Sequence, residues 1–362
     1  MEALLIANLE LNKNEGIYQK ICAEATAIGN VIGRCTLLTR LQDASILLDT
    51  GTGESVEVDQ SLLNCAKTLI DHKEINLVYI RLMVPGFGLI QLMRKARKKG
   101  AKIYYEIPTY PYFAEQFRAS KKKYRAAMKI SLDCLFFPFI NYLCERIVVI
   151  KSNTNVHMFH KMVEITNGVQ TENITSKNYQ TQWDGTFRMV AVGTLYPYHG
   201  YDRVLLGLAK CEEQINGIPV EFHVVGESST INDLRKLTRH LGLKRVKFYG
   251  IKSTDELNCM YDQFDVGLGC LALHRRNANI DTTLKIIEYY CRGVPVVTSG
   301  LSPLEEKDYT IHVTDGEDAL NIQEIFDIWC RMKREKLEDL AEIAKKRFSW
   351  NRIMGKLLEN GL

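Results

Sequence analysis

No G-x-G-x-x-G stretch occurs in the 362 residues, which weighs against a dehydrogenase built on a dinucleotide fingerprint. The ten cysteines form no C-x-x-C pair and no metal-finger spacing, and no signal peptide precedes them, so reduced thiols in a cytosolic compartment are expected. Long apolar runs are missing too. Leu135 to Leu143, the longest near the middle, is interrupted by Pro138 and Asn141 and falls short of the roughly 20 residues that span a bilayer. The chain is therefore expected to lie against a membrane at most. A net charge of +4 is too small at this length to imply a nucleic-acid partner. With 46% hydrophobic and 25% charged residues, the composition is that of a soluble globular protein long enough for two domains with full cores.

Strand and helix signals alternate along the chain. Ala3 to Ala7 reads as a buried strand, Asn8 to Glu15 as a polar loop, and Gly16 as the start of an amphipathic helix with Ile17, Ile21 and Ala25 on one stripe. Short apolar runs follow at Cys35–Leu38, Ile46–Leu48, Leu77–Ile80, Ile103–Tyr105 and Ile147–Ile150, separated mostly by helical segments, with Gly51–Glu57 read as a hairpin. A polar stretch from Gln170 to Gly185 reads as a linker. A second series begins at Phe187, with Met189–Val192 before Gly193, a helix from Tyr201, Phe222–Val225 before Gly226, Val246–Tyr249 before Gly250, and Val266–Gly269. This alternation predicts an α/β protein whose parallel sheets are covered on both faces.

Ligands of such sheets gather at the carboxyl ends of the strands. The positions to examine are Asn12–Gly16, Arg81, Glu106–Tyr110 and Ser152 in the first half, and Gly193, Gly226 and Gly250 in the second, where a missing Cβ lets the backbone approach a nucleotide. Arg81 ends an apolar strand and reads either as a phosphate or acceptor contact or as an ion-pair partner. Tyr104 to Tyr112 gathers aromatic rings around Glu106; Tyr110 and its neighbours could hold a sugar ring or fill a domain interface. From Arg118 to Lys129 the residues Arg118, Lys121, Lys122, Lys123, Arg125 and Lys129 precede Leu135-Phe136-Phe137-Pro138-Phe139-Ile140. Segment 118–143 reads as an interfacial segment for anionic lipid, or as a solvated charge run leading into a core helix.

The stretch that organises the rest is Asp281 to Ser299. Asp281, Thr282 and Thr283 suit a helix amino terminus, Leu284, Ile287 and Tyr290 carry the helical pattern, Gly293 ends it, and Val296-Val297-Thr298 is a strand. A helix mouth of this kind offers unpaired amides to a phosphate.

Leu284-Lys285, Glu288-Tyr289 and Arg292-Gly293-Val294-Pro295-Val296-Val297 resemble the K-x-x-E-Y-x-A-x-G-x-P-V-V segment of GT-B glycosyltransferases, chiefly family 4. The resemblance extends over the carboxyl half, through V-G-x-L…H-G-Y-D-R, H-V-V-G-E, V-K-F-Y-G and Y-D-Q-F-D-V-G-L-G, and Val163 to Val169 resembles the turn that ends the family's first domain. It implies two Rossmann-like parallel-sheet domains facing across a cleft: an acceptor domain over 1–170, a linker over 171–185, a nucleotide-sugar domain over 186–340 and a closing helix over 341–362 that crosses back. It further implies that Glu288 binds the ribose, that the backbone of Gly250 and Ile251 holds the base, and that Thr282, Thr283 and Leu284 at the helix mouth face the diphosphate. Gly16, Gly193 and Gly226 are placed with the donor-binding positions.

The sequence departs from the family in two places. Where the family has a basic pair in G-R-L-x-x-x-K-G, this chain has Gly193-Thr194-Leu195-Tyr196-Pro197-Tyr198-His199-Gly200. Two phosphates in a partly dry cleft still need positive charge, and His199, Arg203, His274, Arg275, Arg276 and Lys285 are the nearest sources, with Arg275 or Arg276 expected to share the work with Lys285. Of the paired glutamates spaced E-x7-E, Glu288 fits the second, while Ile280 takes the place of the first and Asp281 is the closest acid.

The expected activity is transfer of a sugar from a nucleoside-diphosphate donor to a glycan or polyprenyl-linked acceptor, with Glu106, Asp281 and His199 in catalytic roles and Arg81 and Tyr110 on the acceptor. No cofactor beyond the donor co-substrate is expected. By family analogy the anomeric configuration is retained and no metal is needed, and the lack of a D-x-D pair agrees with the latter. The expected place is the cytoplasm, at the inner membrane face. The altered clamp also motivates a second reading, a catalytically silent nucleotide-sugar-binding partner of another transferase.

Overall fold

The computed structural model of the protein describes residues 1–10, 16–41, 44–113, 116–117, 120, 122–180, 182–228, 230–304 and 308–359. Asn12 to Glu15, Arg118 and Lys121 thus lie outside the described residues. The chain forms two compact units, one of Met1–Lys151, Asn155–Gly168 and Ser349–Leu362, the other of Ser152–Thr154 and Val169–Phe348.

The first unit contains β1 (Glu2–Glu10), α1 (Gly16–Ile32), β2 (Arg34–Leu41), β3 (Ala44–Asp49), β4 (Ser55–Val58), α2 (Leu62–His72), β5 (Leu77–Arg81), α3 (Phe87–Lys98), β6 (Lys102–Tyr110), α4 (Lys123–Leu143), β7 (Arg146–Lys151) and β8 (Met162–Glu164). Its sheet runs β4-β3-β2-β1-β5-β6-β7-β8. From β2 through β8 the pairing is parallel. Successive residues of one strand point to opposite faces, and both faces are dry. Leu4, Ile6, Val78 and Ile80 pack with Leu89, Met93 and Phe136, while Ala3, Leu5, Leu77 and Tyr79 pack on the other side with Ile21, Ala25 and Ile28. Ile17, expected on the same stripe, is exposed.

Two local expectations change. Cys35–Leu38 and Ile46–Leu48 are not separated by a helix but pair antiparallel, because the connection between β2 and β3 is far too short for a crossover. The hairpin expected at Gly51–Glu57 is present as β3 and β4, closed by the Asp49 N–H on the Glu54 carbonyl at 2.9 Å. The apolar run at Leu135–Leu143 is not cut by Pro138. It belongs to a 21-residue helix, α4, which by length and composition is long and apolar enough to cross a membrane. An interior proline costs a helix about 3 kcal/mol, and the burial of Phe136, Ile140 and Leu143 around it offsets that cost.

The second unit contains β9 (Phe187–Val192), α5 (Tyr201–Lys210), β10 (Gln214–Ile215), β11 (Ile218–Val225), α6 (Ile231–His240), β12 (Val246–Phe248), α7 (Thr254–Met260), β13 (Val266–Leu268), α8 (Leu284–Cys291), β14 (Val296–Thr298), β15 (Thr310–His312), α9 (Ile322–Arg331) and α10 (Arg334–Phe348). Its parallel strands run β12-β11-β9-β13-β14-β15, and β10 adds a short antiparallel arm to β11. Strand order reverses between β9 and β13, the switch point where the connecting loops part and a ligand can enter. The stretch read as a linker packs on this unit: Ile174 and Tyr179 lie against its core, and Lys177 reaches Asp265 at 3.8 Å. The last helix, α11 (Trp350–Glu359), returns to the first unit from Ser349, where Ile353, Met354 and Leu357 join the core that α1 covers.

Gly267 in β13 sets how closely α8 can approach the sheet, since a Cβ there would lie 2.4 Å from ring atoms of Tyr289. Gly267→Ala should therefore lower stability by about 1–3 kcal/mol, as overpacking of a filled core does. Denaturant unfolding should show a lower midpoint with an unchanged slope.

Candidate active site

At the carboxyl ends of β9, β11 and β12 stand Gly193, Gly226 and Gly250, with φ of 110°, 128° and 70°. The Gly193 N–H donates to the Val225 carbonyl at 2.9 Å, and the Gly226 N–H to the Gly250 carbonyl at 2.7 Å. A Cβ on Gly226 would collide with the Gly193 carbonyl, so that loop crossing admits glycine alone, whereas the Cβ side of Gly193 is open. The three glycines that the sequence singled out are thus neighbours along one sheet edge. Ile251 follows them with its side chain exposed.

The loop after β9 is tied to the loop after β13, with the Leu271 N–H on the His199 carbonyl at 3.1 Å and the Ala272 N–H on the Tyr198 carbonyl at 3.2 Å. This brings His199 against α8. His199 is buried; its Nδ1 accepts the Tyr196 N–H at 3.0 Å and its Nε2 lies 3.0 Å from Lys285 Nζ. Lys285 Nζ also donates to the Tyr201 hydroxyl at 3.0 Å, which donates onward to the Leu268 carbonyl at 3.0 Å. Burial pushes the His199 imidazole well below its ordinary value, and the nearby Lys285 and Arg276 push it the same way. Desolvation lowers the Lys285 amine to about 8, against the pull of Cys270 and Asp281. Beside them the Arg276 guanidinium lies 4.7 Å over the Tyr198 ring, which stacks on Tyr196 at 5.3 Å.

The remaining cations are committed elsewhere. Arg275 donates to Asp202 at 2.7 and 2.9 Å, to the Pro197 carbonyl at 2.7 Å and to Glu317, while His274 bridges Asp315 at 2.9 Å and Glu317 at 2.7 Å. The Asp315 and Glu317 hydrogen bonds raise the His274 imidazole. Arg203 is buried and donates to the Asp318, Thr314 and Leu271 carbonyls. The expected phosphate role of Arg275 is thus corrected, because two carboxylates already saturate its guanidinium fork.

Asp281 is corrected as well. It is fully buried; Oδ2 accepts the Cys270 N–H at 2.6 Å and the Thr298 hydroxyl at 3.1 Å, and Oδ1 accepts the Thr283 hydroxyl at 2.7 Å and N–H at 3.2 Å. A carboxylate so engaged has nothing left for a substrate. Thr283 caps α8, Leu284 is its first residue, and Thr282 precedes them half-buried. Glu288, one turn beyond Lys285, is half-buried, and desolvation raises its carboxyl against the pull of Arg292.

In the first unit Arg81 and Glu106 are register neighbours on β5 and β6. Glu106 is fully buried and accepts from Arg81 at 3.1 Å and Lys20 at 3.2 Å, and Glu24 completes the cluster at 3.3 Å from Lys20 and 3.6 Å from Arg81. Burial would raise Glu106, but Arg81 and Lys20 outweigh it and hold the carboxyl below its usual value. The roles expected of Glu106 as acceptor base and of Arg81 as acceptor contact give way to mutual pairing. The Tyr110 hydroxyl donates to the His157 carbonyl at 2.9 Å, and Gly16 opens α1 with open space around its Cα. Lys20 and Glu24 were not anticipated, although two charges four residues apart beside Ile21 and Ala25 on an apolar helix face are visible in the sequence.

Residues 186–325 match the family model of group 1 glycosyl transferases. Among solved structures, the chain is similar to a sucrose-phosphate synthase from Thermosynechococcus elongatus, with a TM-score of 0.65 at 14% identity, covering 99% of this chain and 98% of that one. It is similar to the catalytic domain of starch synthase IV from Arabidopsis thaliana bound to ADP and acarbose, with a TM-score of 0.65 at 10% identity and coverage of 99% and 98%. It is also similar to the lipopolysaccharide outer core galactosyltransferase WaaB in its apo form, with a TM-score of 0.58 at 13% identity and coverage of 100% and 99%. No curated protein matches the sequence. At these identities the likeness is one of fold, and the fold is GT-B.

Burial, with repulsion from Glu106, pushes the Glu24 carboxyl up from 4.5 to about 7. The folded chain then holds a proton that the unfolded chain has released across that interval, so this group's contribution to stability falls as pH rises through it. Glu24→Gln removes the titration, and its stability relative to the unaltered chain should improve between pH 5 and 8 by on the order of 1 kcal/mol or more. Urea unfolding at several pH values reads this directly; a constant difference across that range would rule it out.

Proposed function

We propose that this chain, whose residues 186–325 match the family model of group 1 glycosyl transferases, moves a sugar from a nucleoside-diphosphate donor to a glycan or lipid-linked acceptor. The observation that carries the proposal is the gathering of Gly193, Lys285, Arg276 and the mouth of α8 at the switch point of the second sheet. The first amides of a helix have no intrahelical partner and carry positive partial charge. With Lys285 and Arg276 they form a seat for a diphosphate, and Glu288 is placed one turn farther along to accept from ribose hydroxyls. The Gly250–Ile251 backbone takes the base.

Leaving-group stabilisation is the principal chemistry. Charge grows on the departing diphosphate, and preoriented donors there are worth more than in water. Glu106 and Asp281 are both saturated, so neither serves as nucleophile or base. This supports retention by a front-face route, in which the acceptor oxygen bonds to the anomeric carbon as the bond to the diphosphate breaks. The acceptor proton passes to the departing phosphate oxygen. The Lys285 and Arg276 cations take the neutralising role that a metal would otherwise fill, and no cofactor is assigned.

The acceptor end of the proposal includes a membrane surface. On α4, Tyr124, Met128, Leu135, Phe139 and Tyr142 are exposed, each at 49% or more, with Lys122, Lys123, Arg125 and Lys129 at its amino-terminal end. An apolar stripe beside cations fits anionic lipid at the inner, cytoplasmic face, where a lipid-linked acceptor would be presented.

Calorimetric titration with nucleoside diphosphates should show binding that weakens about 10- to 100-fold in Lys285→Ala with Arg276→Ala, as loss of charged hydrogen bonds implies. Unaltered affinity would end the donor-site assignment. Cosedimentation should show binding to vesicles rich in anionic lipid and not to neutral ones. Leu135→Glu with Phe139→Glu should lower the partition constant about tenfold, a loss of about 1.4 kcal/mol; equal binding to both vesicle types would refute the electrostatic part.

A further inference from the structure

The hydrogen bonds around Lys285 form a chain whose direction is fixed at both ends by the backbone. At one end the Tyr196 N–H can only donate, so His199 Nδ1, 3.0 Å away, carries no proton. A neutral imidazole then has its single N–H on Nε2, and that N–H points at Lys285 Nζ, 3.0 Å away. At the other end the Leu268 carbonyl can only accept, so the Tyr201 hydroxyl spends its proton there at 3.0 Å and presents a lone pair to Nζ, also at 3.0 Å. Nζ must therefore accept from His199 and donate to Tyr201. An ammonium has three N–H groups and no lone pair; an amine has two N–H groups and one, and fits.

The surroundings agree with that count. Lys285 is the second residue of α8, where the helix amino terminus disfavours positive charge. The groups that bear on it are His199 from the loop after β9, Tyr201 from α5, Cys270, Arg276 and Asp281 from the loop after β13, and Glu288 on α8 itself. Asp281 favours the charged form, but its oxygens are already occupied by four donors, and Arg276 opposes it.

We infer that in weakly alkaline solution Lys285 of the ligand-free protein is an uncharged amine, held so by His199, and that a nucleoside diphosphate then binds together with one proton that Lys285 takes up. The proton comes from solvent and joins the Nζ lone pair. The Nε2–H···Nζ bond breaks, and the new ammonium faces the anion, which also reverses the sign of the field at the helix mouth. His199 is thereby a positioning residue and not a phosphate contact. The coupling rests on the donor-site reading above; the charge state of the free protein does not.

Both halves can be measured on the full chain. With lysines labelled at Cε, the NMR signal lost in Lys285→Arg should titrate near pH 8, well below the ordinary lysine range of about 10.4. In His199→Ala the same signal should move up toward that range, a change that a merely structural histidine would not produce. Calorimetry with inorganic pyrophosphate in two buffers of different ionisation enthalpy should show uptake of about three-quarters of a proton at about pH 8.5, and almost none in His199→Ala. A Lys285 signal that titrates with the other lysines in both proteins overturns the inference, as does pyrophosphate binding without proton uptake. Pyrophosphate that does not bind at all overturns the donor-site reading and the coupling with it, while the titration of the free protein still decides the charge of Lys285.

Discussion

The site in the second unit depends on one buried carboxylate. Asp281 takes hydrogen bonds from the end of β13 through Cys270, from β14 through Thr298, and from the cap of α8 through Thr283. Burying a carboxylate costs several kcal/mol, and hydrogen bonds to a charged group return roughly 1.5–3 kcal/mol each, so the arrangement holds only while all three elements stay in place. Gly269 makes room for it, since a Cβ there would lie 2.5 Å from Asp281 Oδ2. The mouth of α8 and the loop that carries Arg276 are fixed to the sheet by the same side chain. Asp281, the acid closest to the place of the family's first glutamate, is thus the anchor of α8.

The two units treat charge differently. In the first, Lys20, Glu24, Arg81 and Glu106 form a buried cluster in which Lys20 and Arg81 hydrogen-bond Glu106 and lie 3.3 and 3.6 Å from Glu24, whose oxygens accept no hydrogen bond. Its net charge is zero when both acids are ionised, and the cost of burial is relieved by letting Glu24 hold a proton near neutrality. In the second, Arg275 and His274 are drawn off into a carboxylate lattice with Asp202, Asp315 and Glu317. That lattice braces the loop whose next residue, Arg276, stacks on Tyr198. Cations adjacent in sequence thus differ, Arg275 bracing the loop through carboxylates and Arg276 lying over the Tyr198 ring.

Much of this was legible in the sequence. The alternation of apolar runs yielded most strands of both sheets, though not β8, β10 or β15, glycines after strands marked the loop crossings, and the stretch from Asp281 to Ser299 formed the helix and strand that its pattern implied. What could not be read was which charged groups would meet. Arg81 and Glu106 are 25 residues apart and pair because β5 and β6 are in register at those positions. Arg275 reaches Asp202 across 73 residues because the loops after β9 and β13 are tied together. Neither registry nor loop pairing has a local signature. Pro138 misled for the opposite reason, since a local breaker was overridden by burial on either side of it.

The histidine at position 199 then has a physical explanation. A lysine there would set a second ammonium beside Lys285, at the amino end of a helix that already disfavours positive charge. Two like charges about 4 Å apart repel by about 4 kcal/mol at the effective dielectric of a protein surface, and only a bound anion would relieve them. With histidine the pair carries at most one positive charge when the site is empty and offers a single cation when an anion arrives. Where the resemblance would put a second basic residue, this chain has the imidazole that meets Lys285 Nζ at 3.0 Å, so the loop after β9 brings an uncharged partner to the first turn of α8.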